Sequence, residues 1–386
     1  MEHYLDNAAT TRPSGGVISV IRQVLEEDWG NPSSLHRKGQ EAEKYLRRSR
    51  RQIASVLLTG EESVFFTSCA TESTNTCLKG AVYKQRHVGK HILTTRGEHA
   101  ATYEVLKVLA NEGFEIQEID NDETGRILLQ DLEAKLRPDT ALVTAIHVNN
   151  ETGVIQPVKE MGKLIKDKAP KALFHVDATQ SFAKYALFPD KWGIDMISAS
   201  AHKINGPKGV GLLYLRRGLQ IPALLAGGGQ ENRFRSGTEN VPFIAGFGQA
   251  AEEMWKDHEA ITAGMQEIKL HLVHRLLTEL EGVTVNGPSP EDGAAHIVNV
   301  RIDRVRSEVL LHALEDDGVY VSSGSACSSN KPMEKSRPLA ALGLSAEQID
   351  NSLRISFGRF SDMTDADACV DSILKNVPVL RMHRRR

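Results

Sequence analysis

One lysine stands where a sequence could fix an amine for chemistry. Lys203 lies within Ser198-Ala199-Ser200-Ala201-His202-Lys203-Ile204-Asn205-Gly206-Pro207-Lys208-Gly209-Val210-Gly211. The apolar run Ile194 to Ile197 before it reads as a buried strand end, and a glycine-rich turn leads into a second strand, Val210 to Leu215. The neighbours Ser200 and His202 can bind an anion beside the amine. A nucleophilic lysine next to a phosphate site suits a Schiff base to pyridoxal phosphate. Taken alone, a lysine in a loop is more often a solvated surface residue.

Two further stretches carry chemistry-bearing residues. Ser68-Cys69-Ala70-Thr71-Glu72-Ser73 opens a helix after the strand Val64 to Thr67. Small and hydroxyl residues at a helix N-terminus leave N–H groups pointing at an anion, although a plain helix cap uses the same residues. Ser323-Gly324-Ser325-Ala326-Cys327-Ser328-Ser329-Asn330 holds one cysteine in a small-residue loop. A lone cysteine is usually a small buried hydrophobe. Gly and Ser give Cys327 no apolar packing, and an exposed thiol suits nucleophilic attack. Cys69, Cys77 and Cys369 fall in helical or capping contexts and read as structural.

Strands and helices alternate around these stretches. The spacing predicts strands at 91–95, 114–119, 141–148 and 173–177, and helices at 99–111, 129–136 and 158–168. A helix at 17–25 and a charged helix at 38–57 precede them. This rhythm predicts an α/β fold with a mostly parallel sheet covered on both faces. Ligands in such sheets sit beyond the carboxyl ends of the strands. The residues just past those ends are Thr71, His99, Asn149, Asn150, Asp177, Gln180, Ser200, His202 and Lys203. From 242 to 280 one or two long helices lead to a second, smaller unit. It has strands at 283–285, 296–302, 319–322 and 353–357, and helices at 307–316 and 362–375. The basic residues 381–386 read as a disordered tail.

Composition narrows the classes. The chain has 386 residues, 40% hydrophobic and 25% charged, with a net charge of -3. Those are values of an ordinary soluble protein with no global field for nucleic acid or membrane. Four cysteines without a C-x-x-C pair argue against a zinc site or a disulfide framework, and no metal is expected. No phosphate-loop or dinucleotide glycine signature is present. With no signal peptide or membrane span legible, the expected location is cytoplasmic.

The motifs Tyr4-Leu5-Asp6-Asn7-Ala8-Ala9-Thr10-Thr11, Ala70-Thr71-Glu72-Ser73, Glu98-His99 and His147-Val148-Asn149-Asn150-Glu151 occur in order. So do His175-Val176-Asp177-Ala178-Thr179-Gln180, Ser200-Ala201-His202-Lys203, Arg235-Ser236-Gly237-Thr238, Gly324-Ser325-Ala326-Cys327 and Leu353-Arg354-Ile355-Ser356. Together they resemble the cysteine desulfurases of the class V aminotransferase group, within fold type I pyridoxal-phosphate enzymes. The long loop after Cys327 is similar to that of the subgroup serving iron–sulfur cluster assembly and tRNA thiolation. Cys69 departs from the pattern, where the family usually has glycine.

The resemblance implies a large cofactor domain at 15–255 and a small domain of 1–14 and 256–380, with the cysteine loop at about 322–337. Lys203 would hold pyridoxal phosphate covalently and move the substrate's α-proton. Asp177 would pair with the pyridine nitrogen, and Gln180 with the ring oxygen. Asn150 would touch that oxygen or the substrate, Asn149 being the lesser candidate. His99 would stack on the ring as acid–base group. Ala70, Thr71, Ser200 and His202 would bind the phosphate, and Thr238 that of the other subunit of a homodimer. Arg354 would clamp the carboxylate of L-cysteine. The reaction implied converts L-cysteine to L-alanine and leaves a persulfide on Cys327 for an acceptor protein, with no direct nucleic-acid contact. The alternatives are a selenocysteine lyase or other class V enzyme, and a non-catalytic desulfurase-like scaffold.

Overall fold

Strands that are apolar and buried along their whole length belong in a sheet covered by helices on both faces. The computed structural model describes residues 2–323 and 336–383, so Cys327 lies outside the described residues. The chain opens with β1 (His3–Tyr4), α1 (Gly15–Glu26) and α2 (Arg37–Leu57). There follow β2 (Val64–Thr67), α3 (Ala70–Lys84), β3 (His91–Thr95), α4 (Ala100–Asn111), β4 (Glu115–Ile119), α5 (Leu129–Lys135) and β5 (Thr140–Ile146). Next come α6 (Val158–Lys168), β6 (Leu173–Asp177), α7 (Pro189–Trp192), β7 (Met196–Ser200) and β8 (Gly211–Leu215).

These strands form one seven-stranded sheet in the order β2-β8-β7-β6-β5-β3-β4. The strands from β7 across to β4 run parallel, and β8 runs antiparallel to both of its neighbours. A parallel return needs a crossover of a dozen or so residues, and the link from Ser200 to Gly211 is too short for one. That short link puts Lys203 at the carboxyl edge of the sheet.

Alternation along the strands feeds two apolar layers. Val143 and Phe174 pack with Val17, Ile53 and Phe247 on one face. Leu142, Met196 and Leu213 pack with Leu78 and Leu106 on the other.

The second half begins with α8 (Val241–Lys256), α9 (His258–Glu279), β9 (Val283–Asn286) and β10 (Ile297–Ile302). It continues through α10 (Ser307–Asp316), β11 (Val319–Tyr320), β12 (Ser322–Ser323), α11 (Arg337–Ala341), α12 (Ala346–Asp350), β13 (Ser352–Ser356) and α13 (Met363–His383). A four-stranded antiparallel sheet, β12-β13-β10-β9, has its own apolar core of Leu5, Leu272, Val300, Leu353 and Val377 among others. Among the described residues no helix is long and apolar enough to cross a membrane.

Three sequence expectations need correction here. The strand expected at 319–322 is two strands in two sheets: β11 pairs with β1 and β12 with β13. The last helix does not stop at Lys375 but runs to His383 through Pro378. Val377 is fully buried, and Arg381 donates to Glu281 O at 2.8 Å and Asp303 O at 3.1 Å. Residues 381–383 therefore end a docked helix rather than begin a disordered tail; 384–386 lie outside the described residues. The short helices α11 and α12 were not foreseen.

Candidate active site

The carboxyl ends of β5, β6 and β7 and the N-termini of α3 and α4 enclose a cavity of about 450 Å³. Lys203 enters from the turn after β7. Its Nζ donates to Ala8 O at 2.6 Å and Ala9 O at 2.7 Å. Those carbonyls belong to an N-terminal strap lashed to the same turn. Thr11 donates from N and Oγ1 to His202 O, and Asn205 Nδ2 donates to Arg12 O. Asn205 takes φ 64°, a left-handed conformation that asparagine tolerates better than most residues. The strap is thus one wall of the site.

Asp177 ends β6 and is 3% exposed. Its Oδ1 accepts from Thr179 N at 2.9 Å and Thr179 Oγ1 at 2.5 Å, a turn that fixes the carboxylate over the strand end. Behind it, His175 is sealed between Thr144 Oγ1 at 2.8 Å and Ser198 Oγ at 3.1 Å. Burial pushes the His175 imidazole down to about 4, so this ring is a neutral strut. Gln180 donates from Nε2 to Ala8 O at 2.9 Å, while its buried Oε1 has no partner among the described residues.

His99 is the N-cap of α4, its Nδ1 accepting from Ala101 N at 3.1 Å. Crowding by the cavity walls lowers its pKa; the Asp177 charge opposes this, and Lys203 and Arg354 reinforce it. Its neighbour Glu98 is buried and accepts from Thr95 Oγ1 at 2.6 Å and Ile146 N at 2.7 Å. Burial pushes this carboxyl up to about 7, the Thr95 bond opposing and the Asp177 charge adding.

The anion end is built from Ala70 and Thr71 in the first turn of α3, with Ser200 and His202 in the same lining. Helix α3 has Cys69 at its N-cap with no side-chain cap bond, whereas Ser14, Asn240 and Ser345 cap their helices. Uncapped N–H groups and the helix dipole favour an anion there. Burial, with the charges of Lys203, Lys208 and Lys184, pulls the His202 imidazole down to about 4, leaving it a neutral hydrogen-bonding group.

Arg354 reaches the cavity from β13 and is 6% exposed. Nη2 meets Asp6 Oδ1 at 2.8 Å and Nη1 donates to Asn150 O at 3.0 Å. Two of the five guanidinium donors are thus spent on orientation, and Nε has no partner among the described residues.

Of the sequence candidates, Ala70, Thr71, His99, Asn150, Asp177, Gln180, Ser200, His202, Lys203 and Arg354 all line this cavity. Thr238 does not; it is exposed in the loop before α8. Asn149 is a strut, donating to Gly97 O and accepting from the N–H groups of Glu151 and Thr152. Cys69 is the N-cap of α3, the capping context expected for it, and is half-buried in the cavity lining. Cys77 and Cys369 are buried; burial, with the Asp365 charge adding, pushes the Cys369 thiol up to about 12, and burial raises Cys77 as well. Asp6, Ala8, Ala9 and Thr179 were missed, although Asp6 to Ala9 stand in a motif recognised from sequence.

The residues fit pyridoxal phosphate. A lysine, a buried carboxylate and an uncapped helix end match an aldehyde, a ring nitrogen and a phosphate. The buried oxygens Gln180 Oε1 and Asn150 Oδ1 lack a partner among the described residues, as an absent ligand would leave them.

The model of the family described as "Aminotransferase class-V" matches residues 3–369. The chain is 40% identical over 390 residues to "Cysteine desulfurase IscS" of Vibrio vulnificus, covering 98% of this chain and 93% of that one. A solved structure titled "NIFS-LIKE PROTEIN" superposes with a TM-score of 0.92 at 34% identity, covering 98% and 100% of the two chains. Another, "SspA in complex with cysteine", does so with a TM-score of 0.80 at 30% identity, covering 94% and 100%.

Proposed function

We propose that this chain, which belongs to the class-V aminotransferase family and is a pyridoxal-phosphate-dependent cysteine desulfurase, converts L-cysteine to L-alanine through a persulfide on Cys327. The observation that carries the reading is the meeting of Lys203, Asp177, Gln180 and His99 in one cavity with Arg354 at its edge. When bound, pyridoxal phosphate supplies an electron-withdrawing ring that lets an amino acid lose its α-proton.

The residues divide the remaining work. Lys203 would hold the cofactor covalently and move the proton at the substrate's Cα. Asp177 keeps the ring nitrogen protonated by its negative charge. Gln180 and Asn150 hold the ring oxygen. Ala70, Thr71, Ser200 and His202 hold the phosphate. His99, with Nδ1 already occupied by the Ala101 N–H, would lie against the cofactor ring and offer its other nitrogen as the acid–base atom. Arg354, aimed by Asp6 and Asn150, binds the substrate carboxylate.

The Cys327 thiolate attacks the sulfur of the substrate. One S–S bond forms and the C–S bond breaks, so the enzyme sulfur is oxidised to persulfide while the carbon skeleton is reduced to alanine.

The persulfide sulfur goes to an acceptor protein for iron–sulfur cluster assembly or tRNA thiolation, in the cytoplasm. The enzyme acts as a homodimer, in which Thr238 reaches the phosphate held by the other copy. Its exposure, away from its own cavity, supports that role. The separate apolar clusters support a division into a cofactor domain of 15–255 and a small domain of 1–14 and 256–380. The test is incubation of the cofactor-loaded protein with L-cysteine. Alanine and protein-bound persulfide should appear together, and the persulfide should pass to an added acceptor. Pyruvate in place of alanine would overturn the reading.

A further inference from the structure

Behind the ring end of the cavity lies a basic group that this chemistry leaves idle. Lys184 is 5% exposed. Its Nζ donates to Gln180 O at 3.0 Å. The backbone arrives through Ala183 at φ 59°, a left-handed conformation disfavoured for a residue with a Cβ. Such strain persists where the surroundings over-determine it, and it clusters at functional sites.

The groups around Lys184 are mostly basic. The Lys203 charge acts on it directly, and among the described residues no carboxylate charge does. His202 and His296 both feel its charge. His296 is fully buried, faces Lys269 as well, and packs its ring 6.1 Å from that of Tyr185. Burial, with Lys203 adding, pulls the Lys184 amine down to about 7. An amine buried without a counter-ion costs stability that a methionine of similar length would not. Packing alone is therefore a poor reason for lysine here. Its hydrogen bond goes to the residue whose side chain faces the cavity with an unpartnered oxygen.

We propose that Lys184 is a positioning residue of the site: it pins the Gln180 turn by its carbonyl and, kept protonated when an anionic cofactor is held beside it, sets a positive potential behind Lys203 and Gln180. The inference rests on the assignment of those two residues to pyridoxal phosphate.

The experiment compares full-length wild type, Lys184→Met and Lys184→Gln, each loaded with cofactor. It reads melting temperature, the cofactor dissociation constant and the midpoint pH of the cofactor's visible absorbance band. Removing a nearby positive charge makes a group easier to protonate, so both variants should raise the midpoint by roughly half a unit to one unit. Cofactor should bind about ten-fold more weakly, a loss typical of one supporting contact outside the directly bonding residues. The melting temperature of the cofactor-free methionine variant should stay level or rise. An unmoved midpoint in either folded variant overturns the proposal and leaves Lys184 a packing residue; should Lys184→Met fail to fold, Lys184→Gln decides alone. A wild-type protein with no visible band would instead overturn the cofactor assignment, before any Lys184 variant is compared.

Discussion

Replacing Asp177 by asparagine removes one negative charge from the floor of the cavity and little else. The side chain is almost fully buried, and both bonds to its Oδ1 come from donors, Thr179 N and Thr179 Oγ1. An amide oxygen accepts the same two bonds at the same volume, so folding stability should change by about 1 kcal/mol or less. The chemical loss is larger. A neutral amide does not hold a proton on the ring nitrogen, and losing one preorganised electrostatic stabiliser costs about 2–4 kcal/mol. That is roughly a 30- to 1,000-fold fall in turnover. A second signature is independent of activity. The Asp177 charge raises the pKa of Glu98 and His99, so both should titrate lower in the variant. Alanine formation gives kcat and kcat/KM, thermal melts give stability, and NMR titration gives the two shifts. Activity within about three-fold of wild type would refute the electron-sink reasoning. So would an activity loss accompanied by an equal loss of folded protein.

The other perturbations probe the rim and the interior. Arg354→Lys replaces a fork by a point charge and loses the double engagement with Asp6 and Asn150. KM for L-cysteine should rise about 10- to 100-fold, on the order of 1.5–3 kcal/mol; an unchanged KM would remove Arg354 from the carboxylate site. Glu98→Gln tests the buried carboxyl held near 7. A folded pKa above the unfolded one means that the native state binds the extra proton, so stability falls as pH rises from about 4.5 to 7. Glutamine still accepts the Thr95 and Ile146 bonds, abolishes that slope, and should stabilise the cofactor-free protein at pH 8 by about 2–3 kcal/mol. Urea unfolding at pH 5 and pH 8 checks this, and equal slopes for both proteins would contradict it.

Legibility in the sequence followed the range of the interactions. The polar residues past the strand ends were readable because a parallel sheet delivers them to one edge whatever their separation along the chain. The resemblance already ranked Asn150 above Asn149; in the fold Asn149 is a strut and Asn150 lines the cavity. Asp6 was invisible as a partner because its guanidinium stands 348 positions away on β13. Local rules also went unused: Ser345 and Gln348 form a reciprocal capping box at the start of α12, a pattern the sequence spells out as S-x-x-Q. The split between β11 and β12 had no local signal, since Val319 to Ser323 continues to look like one strand. Val377, buried in the second core, carries α13 past Pro378, where a proline argues locally for a stop. Cys69 was assigned by its capping position alone, and only the cavity shows that the cap bond is missing.

The measurement that bears most directly on the central claim is the fate of substrate sulfur in Cys327→Ser. Wild type exposed to L-cysteine should carry one added sulfur on the peptide containing Cys327, with alanine formed alongside. The serine variant should keep the cofactor's visible band and its response to L-cysteine, since neither needs the thiol. It should form little alanine and carry no added sulfur, whereas Cys77→Ser and Cys369→Ser retain both. Desulfuration at the wild-type rate by Cys327→Ser would contradict the account and make the protein a β-eliminating lyase that releases sulfide without a protein persulfide.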